Sequence, residues 1–295
     1  MNPITLDQLG TADAAQFAAA LDGIYEHSPW VAEAAATGRP FATLAALHEA
    51  MMRAVLSASD SAKLALLNAH PDLAGKAARA GALTADSKGE QMSAGLDRLS
   101  DKEFEDFRRL NQAYAKKFGF PFIVCVRRYT KDSIFRQFER RLENDAATEY
   151  ETALAEVFRI AALRLDQHVS APDTLKVHGR LSTHVLDTHK GAPAQGVALE
   201  LHELSSAGDS RLVVAVTTNS DGRTDAPLIS GRPLPIGRYE LRFGIGDYFS
   251  ERGVPLADPP FLDIVSVRFS IAEAEGHYHV PLVVTPWSYS TYRGN

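Results

Sequence analysis

Apolar residues in the first half of the chain recur with the period of an α-helix. Ser100 and Glu103 form a Ser-x-x-Glu capping box, which predicts a helix start, and an apolar stripe follows it as far as Gly119. A similar stripe predicts a helix from about Ala146 to His168. Together these elements predict an irregular helix bundle. Shorter segments with the same period predict further helices at 14–21, 43–57, 61–69 and 88–99.

Apolar residues in the second half alternate with polar ones, which is the period of a strand with one buried face. Turn segments that contain Gly, Pro, Asn or Ser separate the alternating runs. Several short strands at this spacing predict an all-β sandwich of about 110–120 residues. The alternating apolar positions are Val197, Leu199 and Leu201, then Tyr239, Leu241 and Phe243, then Val265, Val267 and Phe269.

The amino-acid composition changes at the same place as the period. Residues 1–168 contain 34 alanines and 5 valines, whereas 169–295 contain 10 alanines and 13 valines. Alanine favours helices and valine favours strands. We therefore expect two domains, an all-α domain over 1–168 and an all-β domain over 177–295, joined by a linker over 169–176 in which Pro172 stops the preceding helix.

Charge and cysteine content exclude several classes of protein. The formal net charge is −6, so the chain offers no basic field for nucleic acid. No apolar run is long enough to span a membrane, and the first residues lack the basic and apolar segments of a secretory signal. The single Cys125 excludes a disulfide within the chain and a multi-cysteine zinc site. We expect a cytoplasmic protein with no membrane or nucleic-acid partner.

Two polar motifs in the helical half are candidates for chemistry. Pro71 disfavours helical backbone at the residue before it, so His70 should lie where a helix ends. There it is either a proton-transfer group or a histidine that interacts with the helix dipole. Ser87, Glu90 and Gln91 form the second motif. They are either a capping box with Ser87 as N-cap, or a hydroxyl, a carboxylate and an amide that orient a small polar ligand.

An apolar segment and a lone arginine complete the candidates in this half. Phe122, Ile123 and Val124 precede Arg127 and form either a buried strand-like segment or a pocket wall that meets an anion. Arg164 lies on the apolar stripe of the last helix. Because arginine is rarely buried unpaired, we expect it to snorkel, to pair with a carboxylate or to face a ligand pocket.

In this order, the motifs resemble the 2-oxo-4-hydroxy-4-carboxy-5-ureidoimidazoline (OHCU) decarboxylases of urate breakdown, over essentially all of 1–168. The resemblance implies a decarboxylase without a cofactor or metal, in which His70 and Glu90 lie at the reacting centre. It also implies a set of residues that hold the substrate. These are Pro71, Ser87, Gln91, Phe122, Ile123, Val124, Arg127 and Arg164.

Histidines and an arginine are the candidates in the β half. His184 lies on a predicted strand, Arg223 follows a turn, and His277 and His279 share one face of another strand. The two histidines on one face could be a solvated surface. With His184 they could also supply three nitrogen ligands to zinc.

The chain ends in Tyr-Ser-Thr-Tyr-Arg-Gly-Asn, and with the histidines this tail resembles the 5-hydroxyisourate hydrolases, which are related to transthyretin, over about 177–295. The resemblance implies a metal-free hydrolase with His184, Arg223 and His279 as catalytic residues. His277, Tyr292 and Asn295 would line the pocket, although Asn295 stands where the family usually has serine. Transthyretin-like domains form tetramers with pockets at the dimer interface, so we expect a homotetramer.

Each resemblance accounts for the other, because hydrolysis of 5-hydroxyisourate gives OHCU and its decarboxylation gives S-allantoin. The order of domains resembles the fused allantoin synthases, and the expected partners are small purine-derived substrates. Two alternatives stay open. One is a transthyretin-like carrier of small molecules fused to a helical domain, and the other is an enzyme that retains one of the two activities.

Overall fold

The computed structural model describes residues 3–75 and 83–294, which form two compact units. The first unit comprises 1–127 and 133–177, and the second comprises 128–132 and 178–295. Asn295, one of the residues expected to line the second pocket, lies outside the described residues. No described helix has both the length and the apolar character needed to cross a membrane.

The first 170 residues are mainly helical, and most helices begin at a Ser, Thr or Asp whose side chain accepts a hydrogen bond from the first turn. The predicted capping box at Ser100 is present, and the helix after it ends at Gly119 in the left-handed conformation, with φ 80°. The helices are α1 (Leu6–Thr11), α2 (Ala14–Ala20), α3 (Trp30–Ala35), α4 (Leu44–Ser57), α5 (Asp60–Asn68), α6 (Ala85–Ser93), α7 (Asp101–Phe118), α8 (Lys131–Leu142) and α9 (Ala146–His168).

Helix α6 begins earlier than the sequence predicted. The N-cap is Thr84, whose side chain accepts a hydrogen bond from the Ser87 amide. Ser87 therefore lies inside the helix and is not its N-cap, so the interpretation of Ser87 and Glu90 as a capping box is wrong. The predicted segment 88–99 also extends beyond the helix, which ends at Ser93.

Aromatic side chains from α7 and α8 pack against the apolar segment that follows α7. Phe107, Tyr114 and Phe138 are fully buried, and the ring of Phe122 stacks on Phe138 with ring centroids 3.6 Å apart. Tyr114 meets the Phe122 ring edge to face at 5.2 Å. These contacts fix the backbone of the segment that begins at Phe122 against the helical core.

The first unit is helical but not all-α, which corrects the expected fold class. Strands β1 (Ile4–Thr5) and β2 (Val169–Ser170) form a short parallel pair. Shortly after β2, the carboxylate of Asp173 accepts a hydrogen bond of 2.7 Å from the Leu44 amide at the start of α4. The segment proposed as a linker, 169–176, thus makes contacts inside the first unit.

The second unit is built from two sheets. One has the strand order β11-β10-β3-β4, with β7 also paired to β3, and the other has the order β6-β5-β8-β9. A single short helix, α10 (Ile245–Ser250), is described in this unit. The strands are β3 (Gly179–Asp187), β4 (Ala192–Pro193), β5 (Ala198–Leu204), β6 (Ser210–Thr217), β7 (Ile229–Arg232), β8 (Gly237–Gly244), β9 (Ile264–Ile271), β10 (His277–Val284) and β11 (Tyr289–Thr291).

Alternating apolar side chains from both sheets meet in one buried cluster. Leu199 and Leu201 of β5 and Leu241 of β8 are buried together with Leu181 and Val185 of β3. The predicted period-2 pattern therefore identified the buried face of these strands. The opposite face of β3 carries Ser182 and His184 and forms part of the site described below.

Candidate active sites

A small cavity, partly open to solvent, lies in the first unit. It brings together most of the residues predicted to bind substrate there. Arg127 is not among the lining residues. Those that line the cavity are His70, Pro71, Leu73, Ser87, Glu90, Gln91, Phe122, Ile123, Val124, Val126, Ile160 and Arg164.

His70 enters the cavity from the end of α5. Its ring atom Nδ1 lies 3.0 Å from the carbonyl oxygen of Leu66, so this nitrogen carries the proton and donates it. The other ring nitrogen of the neutral imidazole is then a proton acceptor. Burial lowers the pKa of His70 to about 4, which keeps the ring neutral at pH 7. The residue thus binds a helix-end carbonyl and also lines the cavity.

Helix α6 supplies three polar groups to the cavity, and two of them are buried, Ser87 and Gln91. The side-chain oxygen of Gln91 accepts a hydrogen bond of 3.0 Å from the amide of Ala74. Ala74 has a left-handed backbone with φ 50°, which is uncommon for a residue with a Cβ. Gln91 therefore fixes the turn that follows His70 and Pro71.

Arg164 is buried on α9 and pairs with two carboxylates. Its Nε and Nη2 atoms donate to the two oxygens of Glu90 at 2.9 and 3.0 Å. Its Nη1 atom donates to Glu26 at 2.8 Å. Burial opposes the charged form of Arg164, but the hydrogen bonds and charges of Glu90 and Glu26 raise its pKa above the ordinary value. Of the three expected roles, pairing with a carboxylate is observed, and the side chain also faces the cavity.

Glu26 is a site residue that the sequence did not indicate. Its side chain is 2% exposed and accepts hydrogen bonds from Thr84, Ser87 and Arg164 at 2.8, 3.1 and 2.8 Å. Burial alone would raise the pKa of this carboxyl, but the charge and hydrogen bond of Arg164, together with the hydrogen bond from Thr84, hold the pKa below its usual value. The sequence offered one weak indication that Glu26 is buried, since it follows the apolar residues Ile24 and Tyr25. Both of these are buried in the structure.

The apolar wall of the cavity is held by charged side chains behind it. The amide of Cys125 donates to Glu156 at 2.7 Å, and the carbonyl of Ile123 accepts from Arg141 at 2.7 Å. Phe122, Ile123 and Val124 thus form a wall of the cavity. Its amide at Cys125 is used by the protein rather than by an anion.

The second candidate site lies on the face of β3 and β10 opposite the core. These strands pair in parallel with Ser182 beside His279, and His184 follows two residues after Ser182 on the same face. The hydroxyl oxygen of Ser182 lies 3.0 Å from Nδ1 of His279. Atom Nε2 of His184 is buried and has no hydrogen-bond partner among the described residues. Strand register thus places two of the predicted catalytic histidines together.

Arg223 reaches this face through a backbone bridge to His184. The amide of Val185 donates to the carbonyl of Gly222 at 2.8 Å, and a Cβ on Gly222 would lie 2.3 Å from the Val185 oxygen. Only glycine permits this approach. Burial, followed by the positive charge of Arg223, lowers the pKa of both His184 and His279.

The C-terminal tail crosses the other histidine. The amide of Gly294 donates to the carbonyl of His279 at 2.9 Å, and a Cβ on Gly294 would lie 2.7 Å from Cδ2 of the His279 ring. The ring of Tyr292, one of the predicted pocket residues, is 59% exposed. His277 is also exposed, and it pairs with Arg180 across the strands.

Zinc binding by the three histidines would require their ring nitrogens to lie close enough together to coordinate one ion. Within 3–75 and 83–294, no group of three or more His, Cys, Asp or Glu side chains is arranged to hold a metal ion.

Each of the two units brings titratable side chains together in a candidate site, and comparison with known proteins gives the families. The model of the OHCU decarboxylase family matches residues 10–166, which is more than half of the chain. The model of the HIUase/transthyretin family matches residues 181–294. The chain therefore belongs to the OHCU decarboxylase family and carries a domain of the HIUase/transthyretin family in its second half.

Individual relatives agree with this assignment. A 5-hydroxyisourate hydrolase of Deinococcus radiodurans is 57% identical over 119 residues, which cover 40% of this chain and 98% of the relative. A 2-oxo-4-hydroxy-4-carboxy-5-ureidoimidazoline decarboxylase of Haloferax volcanii is 45% identical over 171 residues, which cover 58% of this chain and 99% of the relative. A crystal structure of (S)-allantoin synthase matches 99% of this chain and 100% of its own, with 37% identity and a TM-score of 0.52.

Proposed function

We propose that the chain catalyses two consecutive steps of urate breakdown. The second unit hydrolyses 5-hydroxyisourate to OHCU, and the first unit decarboxylates OHCU to S-allantoin. The observation that carries the proposal is that His70, Glu90 and Arg164 meet at one cavity while His184 and His279 share one strand face, in a chain with both family domains.

In the proposed decarboxylation, the bond between a ring carbon and the carboxylate breaks and carbon dioxide leaves. The electron pair passes into the nitrogen-rich ring of OHCU, which can delocalise it, so no cofactor is required. His70 is neutral at pH 7 and has an unprotonated ring nitrogen, so it can accept the hydroxyl proton of the substrate. The His70–Glu90 pair returns this proton to a ring carbon, and a proton from solvent neutralises the negative charge that the departing carbon dioxide leaves on the ring.

The other cavity residues position the ring. Gln91 uses its oxygen for Ala74, which leaves its amide nitrogen as a donor for a substrate carbonyl. Phe122, Ile123 and Val124 form the apolar wall against which the ring can lie. Such positioning removes orientational freedom before the reaction and can supply a large part of the rate acceleration.

In the proposed hydrolysis, water adds across a ring carbon–nitrogen bond of 5-hydroxyisourate. His184 or His279, both with lowered pKa values, accepts the proton of the attacking water. Arg223 stabilises the negative charge that develops on the carbonyl oxygen when water attacks the carbonyl carbon. The protonated histidine then returns the proton to the leaving nitrogen, so the amide bond opens with no other co-reactant than water.

We further propose that the two sheets of the second unit form a transthyretin-type sandwich that assembles into a homotetramer in the cytoplasm. Support comes from the buried cluster shared by both sheets and from the family of the domain. Size-exclusion chromatography with light scattering tests the oligomer, and a mass near four times 32.1 kDa is expected. The carrier alternative is weaker, because the chain has a His184, Arg223 and His279 set near one strand face.

Freshly generated 5-hydroxyisourate tests the catalytic proposal directly. Addition of the chain should remove the substrate absorbance faster than the spontaneous reaction and should then give the circular dichroism of S-allantoin. Racemic allantoin formed at the spontaneous rate would contradict the decarboxylation step, and an unchanged decay of 5-hydroxyisourate would contradict the hydrolysis step.

A further inference from the structure

Glu26 is the most deeply buried carboxylate of the helical site, yet it does not line the cavity. We propose that Glu26 is a positioning residue for decarboxylation. Its carboxylate holds the Arg164 guanidinium against Glu90, so that Arg164 orients Glu90 and is not itself a ligand for the substrate carboxylate. This role rests on the proposed decarboxylation of OHCU and deepens it.

All five N–H donors of Arg164 are already accepted by the protein. The Nε atom donates to Glu90, and Nη2 donates to Glu90 and, at 3.3 Å, to the hydroxyl of Ser87. The Nη1 atom donates to the carbonyl of Gly23 at 2.7 Å and to Glu26. A substrate carboxylate could gain a donor only by displacing one of these partners.

Glu26 and Glu90 bind opposite ends of the same planar fork. Glu90 takes the bidentate edge formed by Nε and Nη2, and Glu26 takes Nη1. Because the guanidinium is planar, fixing Nη1 also fixes the edge that Glu90 contacts. The orientation of the Glu90 carboxylate at the cavity therefore depends on a residue 138 positions from Arg164 in the sequence.

Glu26 also links this fork to helix α6. It accepts the hydroxyl hydrogens of Thr84, the N-cap of α6, and of Ser87, one turn further along. Helix α6 carries Glu90 as well. One carboxylate thus holds both the helix that carries Glu90 and the arginine that Glu90 contacts. The exposed His27 ring lies 4.0 Å from the same carboxylate.

The charges of the cluster lead to an unusual kinetic expectation. Two carboxylates and one guanidinium leave an excess of one negative charge beside a site for an anionic substrate. Removing the charge of Glu26 weakens this repulsion and frees Nη1 to turn toward the substrate. Substrate binding should then improve while turnover falls, because the same change releases the fork that orients Glu90.

Two substitutions separate charge from geometry. Glu26→Gln keeps the size but removes the charge, and we expect kcat for decarboxylation to fall about tenfold or more while KM falls or stays unchanged. Glu26→Asp keeps the charge but is shorter by one methylene, so kcat should fall with KM unchanged. Glu240→Gln is the matched control, because Glu240 is a buried carboxylate held by Arg242 and Arg268 at 2.6 Å in the second unit.

Full-length variants are assayed with OHCU produced by an excess of separate hydrolase, and melting is followed by circular dichroism. A lower kcat without a higher KM in both Glu26 variants, with Glu240→Gln like wild type, supports the proposal. Turnover within about twofold of wild type, or a raised KM, overturns it. If Glu26→Gln fails to fold, Glu26→Asp decides by the same criterion. A wild-type chain without decarboxylase activity would instead contradict the proposed function, and this role with it.

Discussion

The two candidate sites obtain their reactive groups in different ways. In the helical unit, ion pairs hold Glu26, Glu90 and Arg164 together from separate segments, and His70 lines the same cavity from the end of α5. In the β unit, neighbouring strands place His184 and His279 on one face by register, and Arg223 is exposed. A substitution in the first site should therefore disturb several partners, whereas one in the second should act locally.

Loss of the acid–base residues of the helical site should have the largest effect. His70→Ala and Glu90→Ala should each reduce decarboxylation by about 100- to 10,000-fold, since positioned proton transfer contributes that much. Hydrolysis should be retained because His70 and Glu90 lie in the first unit. Separate assays of the two steps check this, and a folded Glu90→Ala variant that forms S-allantoin at the wild-type rate would contradict the role of Glu90.

Arg223→Lys should have the next largest effect, on hydrolysis alone. Lysine keeps the charge but lacks the planar fork that can hold a ring carbonyl and a developing oxyanion. Loss of one oxyanion donor costs roughly 100- to 1,000-fold in turnover. Arg211→Lys is the control, because Arg211 is exposed and pairs with Glu203 at 2.6 Å. Near-normal turnover of Arg223→Lys would mean that other donors stabilise the oxyanion.

Gly294→Ala should cause a smaller loss of hydrolysis, about tenfold, through misplacement of a catalytic ring. The new Cβ would lie 2.7 Å from Cδ2 of His279, so either the tail or the ring must move. Gly244→Ala is a matched control, because its Cβ would meet its nearest neighbour, the Ala198 oxygen, at an ordinary 3.6 Å. Equal turnover of both variants would show that the tail does not set the position of His279.

The pH dependence of hydrolysis should shift by the smallest amount. Burial and then Arg223 lower the pKa of His279, so the neutral base persists below pH 6.5 and activity is lost only as the pH falls through this lowered value. Arg223→Gln removes a positive charge, raises the pKa of His279 and should move the acid limb of the residual activity to higher pH. An acid limb that stays in place would exclude Arg223 as a cause of the lowered pKa.

Local sequence patterns and short motifs predicted those helix boundaries that depend on neighbouring residues alone. Helix α7 was bounded correctly by Ser100 and Gly119, because a capping box and a left-handed glycine are local features. The start of α6 was misplaced by three residues. Thr84 and Ser87 both suit an N-cap, and the contact of Ser87 with the distant Glu26 is not visible in the local pattern.

Long-range contacts account for the residues that the sequence missed. Glu26 has no motif around it, and its partner Arg164 is 138 residues away, so only the fold reveals the pair. The β1–β2 pair was missed for the same reason. Each strand has only two residues, and the two strands are far apart in the sequence although they pair in the fold. Arg127 was expected at the cavity because it ends the apolar segment that begins at Phe122, but it is not among the lining residues.

A complementation assay tests most directly the claim that each unit carries one complete step. His70→Ala and Arg223→Lys chains are purified separately, and each alone should fail to convert 5-hydroxyisourate to S-allantoin at the wild-type rate. An equal mixture should restore enzymatic formation of S-allantoin, followed by circular dichroism, because OHCU released by the first variant can be decarboxylated by the second. A mixture no faster than the better single variant would contradict the account.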